Sequence, residues 1–577
     1  MVINLFITII LIISPLLGAS WDLWAQTVVH LITLIALLIL IFSKKEISVP
    51  RPSVPIRGVY PALRCGAHPR INSGATFLFI FLFFCFISIF SSANFYESRN
   101  EFFNILNYVV IFYFAKNIAK KYIVAPALIS GVILSIYGFY QKFSSGGNVP
   151  SFMNNPNVFA GYITGIIVLT FGNVITEQLF ASRTSVRHRT NVREMFGFFF
   201  LLVFLLAMFF TGSVAGLLSV AAGLLFFLYL KKISLSKKYL FFSVGIILFF
   251  IAVKLAEKES FNRVIWWLTA GKMILAKPIF GIGLNAFADA YSKYKLSGLN
   301  SIYAHNYFLQ LTSEIGVFGF AAFVWFLTKV FDNPKTSENI PFFAASFAML
   351  IHGIFDYALL IPANSILFWI MLGYCSKEEK FMEKPCHREH RERAQRTQRF
   401  YVSVFSVNSV VFSVHSAVKD FFQKVIFRWI SVFLISAISY SQIMIFLASR
   451  ETARGKYFLD EKKYDIAKNH LMDAIKYDAK NPQTYFFLSN VYQQYYKMTG
   501  YKSYLYEAEL ELLKAAEFQK YNSQIYFDLY NIYYLRGNKQ NAILWLKKTL
   551  DVAPKSIYYE KCYETLLKEI YENTQHK

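Results

Sequence analysis

Long apolar stretches, separated by short polar or basic segments, fill most of the first 450 residues of the chain. A helix needs about 20 apolar residues to cross the hydrocarbon core of a bilayer. The pattern predicts thirteen spans, several of them shorter than that. The first has no basic segment before it and a second follows at once, which favours an uncleaved helix over a signal peptide. The spans are predicted near 2–18, 26–42, 75–92, 102–115, 123–140, 157–175, 195–210, 214–230, 239–253, 315–330, 341–357, 362–375 and 426–447.

Basic residues concentrate in every second segment between these spans, as the positive-inside rule requires of cytoplasmic loops. The short segments on the other side are nearly free of basic residues, with Arg99 and Lys142 as the main exceptions. The alternation predicts a cytoplasmic N-terminus. The largest segment between spans, 254–314, and the region after the thirteenth span are then extracytoplasmic. The basic cytoplasmic segments carry Lys44, Lys45, Arg51, Arg57, Arg64 and Arg70; Lys116, Lys120 and Lys121; Arg183, Arg187, Arg189 and Arg193; Lys231, Lys232, Lys237 and Lys238; and the stretch 377–399.

Composition agrees with a multi-pass membrane protein. Hydrophobic residues make up 55% of the chain and charged residues 16%, and the mean hydropathy is +0.39. The net charge is +24, but residues 451–577 carry 19 basic against 16 acidic residues. The basic excess therefore belongs to the membrane part, where it sets orientation rather than binding nucleic acid. Five scattered cysteines without a CxxC spacing predict neither a disulfide framework nor a zinc site.

The last 127 residues change from apolar spans to amphipathic, repetitive helices. "AIKYDAKNPQTYFFLSNVY" (474–492) matches "AAEFQKYNSQIYFDLYNIY" (515–533), and "TLDVAPKSIYYEKCYETL" (549–566) continues the series. The spacing resembles the tetratricopeptide repeat, a helix pair of about 34 residues. Such arrays offer a concave face to a protein partner, and a passive cap is the alternative that the sequence leaves open.

The predicted fold is therefore all-α: a polytopic bundle of 12–13 transmembrane helices followed by a soluble helical-repeat domain. Two basic, biased segments between spans read as tolerated loop sequence, and His387 and His390 fall in the second of them. The predicted divisions are 1–74, N-terminal spans and a basic loop; 75–375, the main membrane domain; 376–425, a low-complexity cytoplasmic loop; 426–447, the last span; and 451–577, the repeats.

Three extracytoplasmic patches carry polar chemistry beside apolar spans. They are "SFMNNPNVFAGY" (151–162), "FNRVIWWLTAGKMILAKPIFGIGLNAFADAY" (261–291) and "AHNYFLQLTSEIGVFGF" (304–320). The first suits a helix start, because Asn caps helices and Pro fixes φ. The second predicts a surface helix followed by a Pro278 to Gly283 turn. The third places His305, Asn306 and Glu314 just before a span.

In combination these motifs resemble the O-antigen ligase and O-antigen polymerase superfamily, over roughly residues 70–375. The matching elements are Asn-Pro-Asn before a span, Arg-x-x-x-Trp (263–267), Pro-x-x-Gly-x-Gly-x-x-x-Phe (278–287) and His-Asn-x-x-Leu-x-x-x-x-Glu-x-Gly (305–316). "HGIFDYALLIPAN" (352–364) is similar to a late His/Asp segment of that family.

The resemblance implies an inner-membrane glycosyltransferase of the GT-C type that needs neither metal nor cofactor. Such enzymes move a glycan from a polyprenyl pyrophosphate donor to a hydroxyl of lipid A core, of another glycan or of a protein. The resemblance also reveals one departure. Family members often carry an arginine in a Ser-Arg-Gly element, where this chain has Val214 in "FTGSVAGLLSV".

Elementary chemistry assigns roles to the same residues. A hydroxyl is a poor nucleophile at neutral pH and benefits from a base, which His305 can supply. A pyrophosphate leaving group needs fixed positive charge, and the planar fork of Arg263 suits it. Lys272 is a weaker helper in binding the donor. Three further candidates would bind or orient substrate, namely Asn157, Asn306 and Glu314, although Glu314 also suits a helix start.

Two other functions stay open at this stage. A lipid-linked glycan transporter or flippase is compatible with thirteen spans, although the membrane part shows no internal symmetry of the kind transporters carry. A non-catalytic scaffold for polysaccharide assembly would use the repeats to recruit partners.

Overall fold

The computed structural model describes residues 2–20, 22–42, 73–181, 187–233, 258–333, 335–376 and 408–575. Within these ranges the chain is helical and forms no β-strand beyond a single bridge between Asn94 and Gln519. The predicted all-α class is confirmed. The predicted span 239–253 and most of the two biased loops lie outside the described ranges.

In the residues that the structure describes, thirteen helices precede the long helix that leads into the C-terminal region. They are α1 (Val2–Leu16), α2 (Leu23–Phe42), α3 (Ser73–Ser88), α4 (Phe95–Ala115), α5 (Lys121–Ser145), α6 (Pro156–Ala181), α7 (Arg187–Thr211), α8 (Val214–Leu230), α9 (Lys258–Ala276), α10 (Phe287–Tyr294), α11 (Tyr307–Phe331), α12 (Ile340–Phe355) and α13 (Pro362–Cys375). Short 3-10 turns lie at Gly18–Ser20, Ser151–Met153 and Ala358–Leu360.

Seven helices follow the segment 377–407. They are α14 (Asn408–Asp460), α15 (Tyr464–Tyr477), α16 (Pro482–Thr499), α17 (Ser503–Phe518), α18 (Ser523–Leu535), α19 (Lys539–Val552) and α20 (Ile557–Gln575).

Five described helices are long and apolar enough to cross a membrane: α2, α5, α6, α11 and the part of α14 from Arg428 onward. Six shorter apolar helices lie at predicted spans, namely α1, α3, α7, α8, α12 and α13. The predicted span 102–115 lies in α4. That helix is not apolar throughout, because Glu97, Arg99 and Glu101 occupy its first two turns.

Helix α6 forms the centre of the bundle, and small residues let α12 lie directly against it. A Cβ added at Gly161 would lie 2.7 Å from Ala358, one at Gly165 2.8 Å from Met349, and one at Gly172 2.8 Å from Pro341. The order of these contacts shows that the two helices run antiparallel. Small residues permit such close backbone approach where lipid supplies no hydrophobic drive between helices. The pairing carries the C-terminal end of α12 to the N-terminal end of α6.

Helix α11 begins earlier than the predicted span 315–330. Asn306 caps it by accepting a hydrogen bond from the Leu309 amide at 3.0 Å, so the motif residues 307–314 form its first two turns. The helix is then interrupted at Gly316, whose φ is +79°. The predicted loop 254–314 is thus largely helical, comprising α9, α10 and the start of α11.

Helix α14 joins the membrane part to the C-terminal region without a break. It runs from Asn408 to Asp460, although the sequence predicts a span of 426–447 flanked by a loop and a separate domain. No glycine or proline lies between 408 and 454, so nothing in the backbone ends the helix where its surroundings change from lipid to water. His30 of α2 holds it in the bundle through Gln442, with 2.8 Å between Nδ1 and Oε1.

The C-terminal region consists of helix pairs with short turns, which the repeat pattern anticipated. The aligned copies make equivalent contacts. Asn481 and Asn522 each accept from the amide two residues on, at 3.0 Å. The Tyr485 and Tyr526 hydroxyls each donate to a backbone carbonyl six residues back, at 2.9 Å. The assignment of these pairs to the tetratricopeptide class stays a prediction.

Candidate functional site

One face of α9 supplies three side chains to a site at the end of the bundle. Arg263, Trp266 and Trp267 are spaced i, i+3 and i+4, so they share a face. Arg263 is only 8% exposed, and its Nη1 donates to the carbonyl of Phe355 at 2.7 Å. A buried arginine requires acceptors. Here one acceptor comes from the C-terminal end of α12.

His305 meets the same segment from the other side. Its Nδ1 lies 3.7 Å from Oδ2 of Asp356, which is completely buried and adjacent to Phe355. Both atoms are buried, and neither has a hydrogen-bond partner in the structure. The other carboxylate oxygen of Asp356 accepts from the Tyr357 amide at 2.8 Å. The arrangement therefore leaves one carboxylate oxygen facing one imidazole nitrogen, and Arg263 and His305 flank the dipeptide 355–356.

Charge accumulates around Asp356. His305, His352 and Arg263 all lie near this buried carboxylate and favour its charged form. A carboxylate with these neighbours orients positive or proton-bearing groups toward itself.

Aromatic rings fix the position of the imidazole. Trp266 stacks on His305 with 4.7 Å between ring centroids, and Tyr357 meets its edge at 5.0 Å. Trp267 donates from Nε1 to the His305 carbonyl at 3.4 Å, and Tyr303 stacks on Tyr357 at 3.9 Å. Burial raises the pKa of the Tyr303 phenol, so this phenol stays neutral at physiological pH.

The backbone at His305 is unusual. Its φ is +50°, a left-handed conformation that few residues other than glycine adopt. The conformation turns the chain between the Tyr303 stack and the Asn306 cap. Strain of this kind persists where surrounding contacts impose it, and it concentrates at functional sites.

The Pro-x-x-Gly-x-Gly motif holds α9 against the break in α11. Val317 donates to the Pro278 carbonyl at 2.8 Å, and Gly283 donates to the Glu314 carbonyl at 3.0 Å. A Cβ at Gly281 would lie 2.2 Å from the Glu314 carbonyl oxygen, and one at Gly316 2.1 Å from that of Ile279. The glycines thus permit two backbones to touch, which sets where Arg263 and His305 meet.

The Glu314 carboxylate belongs to this scaffold. It is 2% exposed and accepts from the Asn285 amide and from the Gln310 side chain, both at 3.0 Å. These contacts make Glu314 a positioning residue for the 278–285 loop. The structure shows it buried inside the protein rather than at the surface of the site.

The remaining candidates are placed differently. Lys272 is exposed and lies nine residues after Arg263, half a helical turn around α9, so the structure does not bring the two cations together. The Asn306 side chain is engaged as the cap of α11. Asn157 lies one turn before Gly161 of α6, against which His352 packs.

From the sequence, His352 and Asp356 stand out only as part of the segment 352–364 that resembles a late His/Asp segment of the family. The sequence did not pair Asp356 with His305, because two residues 51 positions apart give no spacing signal. Across the described ranges, no group of three or more His, Cys, Asp or Glu side chains is placed to hold a metal ion.

Comparison with known proteins adds independent information about the region that forms this site. A family model described as O-Antigen ligase matches residues 198–324, which include Arg263 and His305. The chain is also similar to a protein of Rickettsia conorii named "Putative polysaccharide ligase". The two are 24% identical over 307 residues, which cover 47% of this chain and 71% of that protein. No solved structure gives a significant match.

Proposed function

We propose that this chain, which belongs to the O-antigen ligase family, transfers a glycan from a polyprenyl pyrophosphate to an acceptor hydroxyl at the site between α9, α11 and α12. The observation that carries the proposal is the meeting of Arg263, His305 and Asp356 around one dipeptide. A guanidinium and a base–carboxylate pair are what this transfer requires: one stabilises the leaving diphosphate and the other accepts a proton.

The proposed reaction is a single displacement. The oxygen of the acceptor hydroxyl attacks the anomeric carbon of the donor sugar, and a new glycosidic bond forms. The bond between that carbon and the pyrophosphate oxygen breaks, and the electron pair leaves with the polyprenyl pyrophosphate. The hydroxyl proton passes to His305. No oxidant, reductant or further reactant is needed.

Asp356 would orient His305 for this step. With Nδ1 directed at the carboxylate, the opposite ring nitrogen is left to accept the proton. The separation of 3.7 Å is longer than a hydrogen bond. Catalytic hydrogen bonds often shorten only when substrate binds, so a small movement of either side chain would complete the pair.

Arg263 would bind the diphosphate. Its planar, permanently charged group offers five N–H donors, and one is recorded with Phe355. Those that remain suit two phosphate oxygens at once. The charge would stabilise the leaving group as its own negative charge develops.

The experiment that tests this function is glycan transfer by the purified full-length protein, with polyprenyl-pyrophosphate glycan as donor and lipid A core, free glycan and a Ser/Thr-containing peptide as parallel acceptors. We expect a product with one acceptor and release of polyprenyl pyrophosphate. Movement of labelled donor across vesicles without transfer would favour a flippase, and neither activity would favour a scaffold.

The site would face the outside of the inner membrane. This orientation rests on the alternation of basic segments along the chain. Reporter fusions inserted at Ser301 and placed after Lys577 should both report from the extracytoplasmic side. A cytoplasmic signal at either position would reject the orientation without affecting the chemistry of the site.

A further inference from the structure

A groove runs along the C-terminal region, on the side formed by α14, α16 and α18. These are the first helices of the pairs α14–α15, α16–α17 and α18–α19. The groove has a volume of about 550 Å³, within the range of roughly 300–1,000 Å³ that is typical of ligand sites. The end of α14, the middle of α16 and the first turns of α18 form its walls. Three successive pairs therefore contribute to one surface.

The groove is lined with side chains that suit a hydroxyl-rich ligand. Phe486, Asn490, Gln494 and Lys497 follow one another at intervals of three or four along α16, so they form a continuous stripe. Each amide offers both donors and an acceptor, and so does each sugar hydroxyl. Within the described structure neither Asn490 nor Gln494 uses its side chain in a hydrogen bond to another protein group.

The opposite wall adds an oriented carboxylate. Gln524 donates to Asp528 at 2.8 Å, which fixes one oxygen of a side chain that is only 7% exposed. The charges lining the groove balance, with Asp460 and Asp528 against Lys462 and Lys497. A neutral groove of amides around a half-buried phenyl ring favours a neutral, hydroxyl-bearing chain over a charged peptide.

The segment just before α18 is connected by hydrogen bonds to the glycine turn that positions Arg263 and His305. The Lys520 amide donates to the Ala93 carbonyl at 2.9 Å, and the Ala93 amide donates to the Ile282 carbonyl at 2.8 Å. Gln519 and Asn94 both donate to Asp289 of α10. The segment that begins α18 is thus held by backbone contacts to the glycine turn at 281–283.

We infer that this groove is a binding site for the glycan chain on which the membrane site acts, with Asn490 and Gln494 bonding sugar hydroxyls and the Phe486 ring stacking on a sugar face. The inference rests on the proposed function for the identity of the ligand. It predicts that the protein recognises several sugars away from the reacting bond. A longer glycan would then be held more tightly than a short one.

Binding to the full-length protein in nanodiscs tests the inference. The probes are fluorescent oligosaccharides of two to ten sugars, released by mild acid from the host's own surface polysaccharide, and a labelled Ser/Thr-rich peptide. We expect affinity to rise with oligosaccharide length. The double variant Asn490→Ala/Gln494→Ala should raise Kd about tenfold or more, since two hydrogen bonds to sugar hydroxyls are lost.

Two controls keep the outcome interpretable. Gln540→Ala removes an exposed amide on α19 outside the groove and should leave Kd unchanged. His305→Ala alters the membrane site and should also retain oligosaccharide binding. Because the side chains of Asn490 and Gln494 make no hydrogen bond within the described residues, replacing them by Ala should leave the thermal transition in place. Phe486→Leu provides a second, independent variant with the same expected loss of binding.

The inference is overturned if oligosaccharides do not bind, if Asn490→Ala/Gln494→Ala and Phe486→Leu bind them as the unchanged protein does, or if the peptide binds through these residues instead. Its failure is distinct from failure of the proposed function. If the protein binds oligosaccharide through Asn490 and Gln494 but transfers no glycan, the binding site in the groove is supported and the proposed transfer activity is rejected. If it transfers glycan but does not bind oligosaccharide through these residues, the transfer activity is supported and the binding site is rejected.

Discussion

At the scale of single residues, the candidate site is organised around one buried carboxylate, that of Asp356. Asp356 lies beside the carbonyl that Arg263 binds and faces the imidazole of His305. An unpaired buried charge is costly, so these contacts stabilise the ionised form and at the same time define the site. Motifs in the sequence identify His305 and Arg263 as candidates. They do not identify Asp356 as a neighbour of these residues, because the packing of α12 against α6 places Asp356 beside them.

Replacing Asp356 by Asn should lower the rate of transfer by ten- to a hundredfold and leave KM for the donor nearly unchanged. The reason is that Asn keeps the volume but loses the charge that orients and stabilises the protonated imidazole. Steady-state kinetics with varied donor would measure the split. Asp356→Glu should recover part of the rate, and a variant that instead raised only KM would show that Asp356 has another role.

At the scale of elements, two short regions decide whether the site exists. Motif spacing predicted a helix, a glycine turn and a span start, and the structure has these as α9, 278–283 and α11. Motif spacing did not predict that this turn packs against an interruption of α11 at Gly316, because a positive φ inside a span leaves no periodic pattern in the sequence. The sequence pattern also did not predict that α14 is one continuous helix. The change from an apolar to an amphipathic pattern reports what surrounds the helix and does not show where the helix ends.

Gly316→Ala should abolish transfer and reduce the amount of folded protein. A Cβ there would lie 2.1 Å from the Ile279 carbonyl oxygen. The backbone at Gly316, with φ +79° and ψ 171°, also lies in a region that is essentially restricted to glycine, which adds about 1–3 kcal/mol of strain. Gly271→Ala is the matched control, because nothing lies within 4 Å of the added Cβ and alanine favours α9 by about 0.5–1 kcal/mol. Transfer and thermal stability would be measured on both. Normal transfer by Gly316→Ala would show that the close contact between the 278–283 turn and the backbone at Gly316 is not needed for the site.

Asp528 predicts a pH dependence in the C-terminal region. Burial raises the pKa of Asp528 from 3.8 to about 6. Between these two pH values, Asp528 is therefore protonated more in the folded state than in the unfolded state. Stability attributable to this group should therefore increase as the pH falls from about 6 to about 4. Asp528→Asn removes the buried charge and should stabilise the protein by up to about 3 kcal/mol at pH 7.5.

Calorimetry of the full-length protein at pH 7.5 and pH 4.5 would measure this effect. The gain from Asp528→Asn should be large at the higher pH and should shrink at the lower one. The groove charges that face Asp528 from the neighbouring helices, Asp460, Lys462 and Lys497, remain in the variant. An equal gain at both pH values would mean that the charge of Asp528 is not the cause.

At the scale of the whole molecule, the C-terminal region is docked rather than tethered. Arg99 of α4 forms an ion pair with Asp478, which is 7% exposed, and Lys293 lies 4.4 Å from the Tyr521 ring centroid. Backbone bonds through Ala93 complete the contact. Composition and repeats predicted that this region exists and that it lies outside the membrane. They gave no sign of the docking surface, whose residues are separated by hundreds of positions.

Exchanging the charges of the docking pair tests this contact. Arg99→Asp and Asp478→Arg should each weaken docking by about 2 kcal/mol, because a largely buried charge loses its partner. Hydrogen exchange at 93–99 and 478–484 should rise in each single variant. The double exchange should restore protection. Unchanged exchange in both single variants would show that the ion pair does not hold the two regions together.

The central claim is that Arg263 and His305 act together on a lipid diphosphate donor, and the rate of glycan transfer by purified variants tests it most directly. In nanodiscs with polyprenyl-pyrophosphate glycan, His305→Ala and Arg263→Ala should each lose about a hundredfold or more. Lys272→Ala, on the opposite face of α9, should stay within about twofold of the unchanged protein. Transfer at the unchanged rate by both His305→Ala and Arg263→Ala would contradict the account.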